Sequence, residues 1–380
     1  MRLVRLVAVT TLTVLLVGLF PSCLATNYES SYWLLDHSGG SNRLRLTVSV
    51  TSSLYEYYHN KDHNLVLYDF AKFVTPSALR PVAGSLWSIY RDEEDFVNGV
   101  LMLVHQIPYK ESAPQKYPVE IVVENEGDCD LLSFVAASIM KAGGLDVVLL
   151  YYETQKHMNV GINLAHIPND ARTTVYYFNH NGKRYYVAEC TGGNWENGWR
   201  VGEGPDKYNG ISARVITLEN AEKSSPGQVS SSYSALTPSS LGLVLSSIYI
   251  IERGPVTMSG LISPAHPNTI VTIYIRTDSS VWNVLERVTS DSNGYYSYTL
   301  RLDSADTYYL RASWSGDIDH TGADSDTQTL TVLPVFWLLA WIVGIGLVSL
   351  ATLIVAMSKR SKTHQGDTDS FTQLSDSTLH

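Results

Sequence analysis

Residues 128–144 leave a folding chain few options. Asp128 is placed to cap a helix, Leu131 to Met140 is apolar on nearly every face, and Gly143-Gly144 ends the run. A helix apolar all round belongs in a core, so the elements around it must cover it. Cys129 then stands at the N-terminal tip of that helix. There the positive end of the dipole is expected to favour thiolate over thiol and to lower the cysteine pKa.

Strands are expected on both sides of this helix. Upstream, Arg43 to Ser52 alternates Leu44, Leu46, Val48 and Val50 against polar residues. The pattern is helical from about Leu79 to Val104. Asp92 to Asp95 suit a helix N-terminus, Phe96, Val100, Leu103 and Val104 face inward, and Pro108 stops the run. Downstream, Leu145 to Tyr152 reads as a buried strand. From His157 to Leu164, Met158, Val160, Ile162 and Leu164 share one face, and His157, Asn159, Gly161 and Asn163 take the other. Thr173–Phe178 and Lys183–Cys190 flank Asn179-His180-Asn181-Gly182, a hairpin turn signal. On the last of these strands Glu189 and Cys190 point to opposite faces. That counts against a Cys129–Cys190 bridge, although one disulfide is the plain reading of two cysteines outside a cell.

The ends of the chain carry targeting patterns. Arg2 and Arg5 precede the apolar run Leu6 to Phe20, and Cys23-Leu24-Ala25 offers small residues for cleavage, so residues 1–25 read as a signal peptide. Val335 to Met357 is 23 residues without a charge, long enough for a transmembrane helix. Lys359, Arg360 and Lys362 follow it and Asp317, Asp319, Asp324 and Asp326 precede it, which predicts a single-pass type I protein with residues 358–380 as a polar, disordered cytoplasmic tail. The net charge of −10 argues against nucleic acid as a partner. No Asn-x-Ser/Thr acceptor occurs.

Residues 222–240 are rich in Ser and Pro and read as a flexible linker. From Leu241 to Leu333 short alternating runs separated by turn residues suit an immunoglobulin-like β-sandwich, without the inter-sheet cysteine pair of antibody domains. The Asp317/Asp319/Asp324/Asp326 cluster lacks the ordered spacing of a calcium loop, and His157, His166, His180 and Asp170 lack zinc-ligand spacing. Neither a metal nor a cofactor is expected.

Cys129, His157 and Glu189 stand 28 and 32 residues apart, in the order nucleophile, base, orienting acid. Glu126-Gly-Asp-Cys129-Asp-Leu-Leu, His157-Met-Asn-Val-Gly-Ile and Tyr185-Tyr-Val-Ala-Glu189-Cys-Thr191-Gly together resemble the transglutaminase-like superfamily, over roughly Phe96 to Gly193. Here the acid is Glu189 where the family usually has aspartate. The resemblance implies an α+β, papain-like core over residues 26–221, then the sandwich and one membrane helix. It also implies Cys129 attacking the amide carbonyl of a peptide or protein substrate, His157 moving the proton and Glu189 orienting the imidazole. The acyl-enzyme would pass to water, slightly favoured, or to an amine. The Cys129 backbone N–H is one oxyanion donor, with Gln106 suggested as the second. The whole arrangement suits a prokaryotic, archaeal envelope. The alternative is a cell-surface adhesion or binding protein with a catalytically inactive domain of this kind.

Overall fold

Helix caps divide the first half of the chain. Among the described residues, five α-helices run through it: α1 (Ser52–His59), α2 (Arg80–Ile89), α3 (Glu93–Val104), α4 (Pro118–Glu124) and α5 (Cys129–Ala142). The computed structural model describes residues 27–336 apart from Gly193 and Ala235, together with 349–355 and 357. The expected helical stretch 79–104 is two helices, because Tyr90 is extended and Asp92 turns its carboxylate onto the Asp95 N–H at 2.9 Å to start a new one. Helix α5 begins where Asp128 accepts from the Leu131 N–H at 3.4 Å, and it ends at Gly143 with Gly144 at φ +91°. Leu131 to Met140 are all buried, and Phe134 stacks on Phe73 with ring centroids 5.4 Å apart.

Two sheets frame the helices. β1 (Asn27–Leu35), β2 (Arg43–Thr51) and, much later in the chain, Ser230–Ser232 form an antiparallel sheet in the order first, second, third. The larger sheet contains β3 (Asp146–Tyr152), β4 (His157–Asn163), β5 (Tyr177–His180), β6 (Lys183–Ala188) and β7 (Arg214–Thr217), all antiparallel in the order β5-β6-β4-β3-β7. Asn181 and Gly182 make the β5–β6 turn with φ of +47° and +75°, the conformation that Asn-Gly supplies readily. Alternation on this sheet separates two cores. Met158, Val160, Ile162, Tyr186 and Ala188 pack with the residues of α5, whereas Val148, Leu150, Tyr152, Tyr185 and Val187 form a second cluster on the opposite face.

The segment 222–240 differs from a flexible linker. Its residues Ser230–Ser232 are β8, paired with β2, and all three are buried. Beyond it lie β9 (Ser240–Leu241), β10 (Val244–Leu245), β11 (Tyr249–Ile251), β12 (Pro255–Ser263), β13 (Ile270–Thr277), β14 (Asn283–Thr289), β15 (Tyr295–Arg301), β16 (Thr307–Gly316), β17 (Thr321–Asp324) and β18 (Gln328–Leu333). One sheet runs β10-β12-β15, with β9 also on β12; the other runs β11-β18-β16-β13-β14, with β17 on β16. Val256, Met258 and Tyr296 from the first share a core with Ile273, Leu310, Trp314 and Leu330 from the second.

The expected fold class requires correction at its last element. The described chain is mostly β-sheet with short helices, and no helix among the described residues is long and apolar enough to cross a membrane. The 14 residues of α5 span about 21 Å against the roughly 30 Å of a hydrocarbon core. Residues 335–336, 349–355 and 357 are helical, while 337–348 and 356 lie outside the described residues. The expected signal peptide and the tail 358–380 lie outside them as well.

Candidate active site

Helix α5 and strands β4 and β6 bring the three expected residues into one neighbourhood. Cys129 is the first residue of α5, His157 the first of β4, and Glu189 follows the last residue of β6. His157 Nε2 lies 2.9 Å from Glu189 Oε2, with His157 buried and Glu189 0 % exposed. A carboxylate only accepts, so Nε2 carries a proton in this contact. Glu189 Oε1 accepts from the Thr191 N–H at 2.9 Å and from the Thr191 hydroxyl at 2.5 Å. Burial opposes charge on Glu189, but His157 and the two Thr191 donors outweigh it and hold the carboxyl below its ordinary range.

Further residues, unmarked in the sequence, complete the support. The Tyr208 ring lies flat on the His157 ring, with centroids 4.3 Å apart and planes 6° from parallel. Tyr208 sits in a 3-10 turn at Asp206–Tyr208, where no local pattern pointed to it. His105 Nε2 lies 2.9 Å from the Glu189 carbonyl oxygen, so that nitrogen is protonated and the Glu189 backbone is tied to the end of α3. Thr191, two residues beyond the acid, was the one partner that a short-range side-chain-to-backbone pattern could have revealed.

The thiol departs from expectation. Burial first, then the negative charge of Asp130, push Cys129 up to about 12, although backbone hydrogen bonds from Met158 and Asp130 favour the thiolate. The helix dipole is present, but desolvation and two flanking aspartates overcome it. Asp128 is itself pushed up to about 7 by burial and by Asp130. Cys129 Sγ donates to the Lys156 carbonyl at 3.7 Å, one peptide bond from His157, and no hydrogen bond joins the thiol to the imidazole among the described residues. Cys190 is buried in the core that includes the residues of α5; both cysteines are free, so no Cys129–Cys190 disulfide forms.

Gln106 is not an oxyanion donor. Its Nε2 donates to the carbonyls of Trp33 at 2.7 Å and Met102 at 2.9 Å, and its Oε1 accepts from the Trp33 N–H at 2.8 Å, which commits the amide to β1.

Tyr208 also helps to line a cavity of about 330 Å³, with Tyr152, Asn159, Phe178, Val187 and Ile211 among the other wall residues; Cys129, His157 and Glu189 do not line it. Tyr208 is therefore both the cover of His157 and a wall of the cavity. Asn159 shares the His157 face of β4, is 1 % exposed, and its Oδ1 has no hydrogen-bond partner among the described residues.

No family model matches the chain, and no curated protein matches it. Among solved structures it is similar to the PKD domain of an M14-like peptidase from Thermoplasmatales archaeon SCGC AB-540-F20. The identity is 16 %, the TM-score 0.18, and the match covers 24 % of this chain and 92 % of that one. Any functional reading therefore rests on the chemistry of the residues.

Proposed function

We propose that this chain is a cysteine-dependent enzyme of the transglutaminase-like kind, acting on amide bonds of peptides or proteins. The observation that carries the reading is the buried 2.9 Å hydrogen bond between His157 and Glu189 beside the head of a core helix that begins with a free cysteine. A buried acid–imidazole pair fixes one tautomer and leaves Nδ1 as a base.

The thiol is neutral at rest, so attack and deprotonation have to be coupled. Cys129 turns from the Lys156 carbonyl toward the imidazole, a change that substrate binding is required to bring about. As sulfur bonds to the carbonyl carbon, the thiol proton passes to His157 Nδ1, and the Cys129 backbone N–H at the helix start faces the oxyanion. Collapse breaks the C–N bond and the proton leaves with the amine. Water then attacks the thioester, gives a proton to His157 and releases the acid; sulfur regains that proton. An amine in place of water gives transfer. Hydrolysis is favoured slightly. The cavity behind Tyr208 suits an apolar side chain with a hydrogen-bond donor for Asn159 Oδ1.

The competing reading is a binding domain without turnover. It is favoured by one observation, the elevation of Cys129 by burial and Asp130. The test is to incubate the full chain with a complex peptide mixture, with and without a primary alkylamine, and to follow new termini, amine adducts and acid-trapped thioesters on Cys129 by mass spectrometry. The enzyme reading predicts products that vanish in Cys129→Ala and fall at least tenfold in His157→Ala. Peptides retained by the chain but left unaltered, equally in wild type and Cys129→Ala, would establish the binder instead.

A further inference from the structure

In the β-sandwich, far in sequence from Cys129, one histidine is partnered on one ring nitrogen only. His266 lies in the loop between β12 and β13, with its side chain 17 % exposed. Its Nε2 is buried without a hydrogen-bond partner among the described residues, and its Nδ1 faces Asp317 Oδ2 at 3.5 Å, an ion-pair distance. A buried imidazole nitrogen without a partner costs desolvation energy, and the 3.5 Å contact of Nδ1 with Asp317 offsets only part of it. Above it, in the turn between β16 and β17, stand Asp317 and His320. The two histidine rings are 4.4 Å apart and steeply inclined, at 75°. One ring nitrogen from each histidine and one oxygen of Asp317 lie within 4.8 Å of one another.

Local structure accounts for only part of this. Asp317 Oδ1 accepts from the backbone N–H groups of Asp319 and His320, both at 2.8 Å, and from His320 Nδ1 at 2.9 Å. Those contacts explain why the turn holds its shape. They leave Asp317 Oδ2 free to face His266 Nδ1 at 3.5 Å. The floor is equally well held. Trp314 packs 4.4 Å from the His266 ring, and its Nε1–H donates to Thr269 Oγ1 at 2.9 Å.

We propose that His266, Asp317 and His320 form a binding site for a divalent transition metal of the zinc type, stapling the β12–β13 loop to the β16–β17 turn. Two imidazoles and a carboxylate match the ligand preference of zinc and are too nitrogen-rich for calcium or magnesium. Zinc bonds of about 2.0–2.1 Å in tetrahedral array put neighbouring ligand atoms about 3.4 Å apart, close to the spacing of His266 Nδ1 and Asp317 Oδ2. Binding through His320 Nδ1 asks that this nitrogen give up its hydrogen bond to Asp317, its proton moving to Nε2. Three protein ligands leave a fourth position for water or an external donor. The same turn also bonds to the segment leading into the sandwich, where the Thr237 N–H donates to the Asp319 carbonyl at 2.8 Å and the Thr321 N–H to the Thr237 carbonyl at 3.0 Å. A metal here would therefore stiffen that junction. The proposal is independent of the function proposed for Cys129.

The experiment is calorimetric titration of the full, chelator-stripped chain with zinc chloride, with thermal melting followed in parallel. One equivalent is expected to bind and to raise the Tm. His320→Asn and Asp317→Asn, both near the surface and checked for folding by circular dichroism, should each weaken binding at least tenfold and remove the rise in Tm. His266→Gln should do the same. His59→Ala, which removes a ligand from the separate His59/Glu120/Glu124 group, and Cys129→Ala should leave the titration unchanged. Failure of zinc to bind, or binding that survives His320→Asn and Asp317→Asn, overturns the proposal. Loss of binding in His59→Ala or Cys129→Ala alone overturns it too, because the ion then sits elsewhere.

Discussion

The state of the Cys129 thiol can be measured directly. Burial and Asp130 push it up to about 12, whereas an ordinary cysteine titrates near 8.5 (about 3.5 pH units lower). At about pH 8 this makes the thiolate fraction roughly 2,000-fold smaller than that of a free thiol. A more basic thiolate is a better nucleophile, and a Brønsted slope of about 0.45 over that interval returns roughly 40-fold. The net expectation is alkylation of Cys129 roughly 50-fold slower than that of a free cysteine peptide, before any steric hindrance. Iodoacetamide labelling of the folded chain, followed by mass spectrometry from about pH 6 to pH 11, provides the assay. Hindrance scales all rates equally, so the pH dependence is the discriminating readout. The rate should rise about tenfold per pH unit with no plateau before about pH 11. Asp130→Asn should accelerate labelling by removing a charge that opposes ionisation, and His157→Ala should change it little because no hydrogen bond joins the two at rest. A plateau below about pH 8 that disappears in His157→Ala would refute the reasoning, since it would reveal a thiolate–imidazolium pair already formed.

Other expectations follow from the same geometry. Because the folded carboxyl of Glu189 is held below its ordinary range, its stabilisation is present above about pH 4.3 and is lost as pH falls through the lower folded value. The Tm difference between wild type and Glu189→Gln should therefore be largest near neutrality and shrink in acid; a constant difference across pH would contradict the pairing with His157. Thr191→Val removes a hydroxyl donor to that carboxylate and should cost about 1–2 kcal/mol in denaturant unfolding. Phe134→Ala, which empties a fully buried site stacked on Phe73, should cost about 3–5 kcal/mol by the same measurement; a cost under about 1 kcal/mol would mean the α5 core is loosely packed. Tyr208→Ala uncovers His157 and opens the cavity wall, so peptide turnover should show a raised KM, with Tyr208→Phe close to wild type.

Some of this architecture was readable one segment at a time. The Asp128 cap and the Gly143 stop bound α5, Asn181-Gly182 closes a hairpin, and the alternation of β4 separates the α5 face from the His157 face. Glu189 and Cys190 lie on opposite sides, as the period of two requires. Other parts had no local signal. Ser230–Ser232 looked like linker because their strand partner, β2, is about 180 residues earlier, and a Ser-rich edge carries no hydrophobic alternation. The run from residue 335 to 357 is apolar enough to suggest a membrane span, but no helix among the described residues has the length for one.

Caps, turns and periodicity act over a few residues, which is why the chain alone located the central helix, the hairpin and the order of Cys129, His157 and Glu189. Charge state and partnership depend on whatever packs across from a group, often from distant sequence. The dipole at Cys129 could be read from its position, but the burial and the Asp130 charge that outweigh it required the packed neighbourhood. Gln106 was available until β1 claimed its amide. His266 and the Asp317/His320 turn are about 50 residues apart, and only the pairing of β13 with β16 brings them face to face. Desolvation and Coulomb interaction are set by distances in space, and tertiary packing fixes those distances.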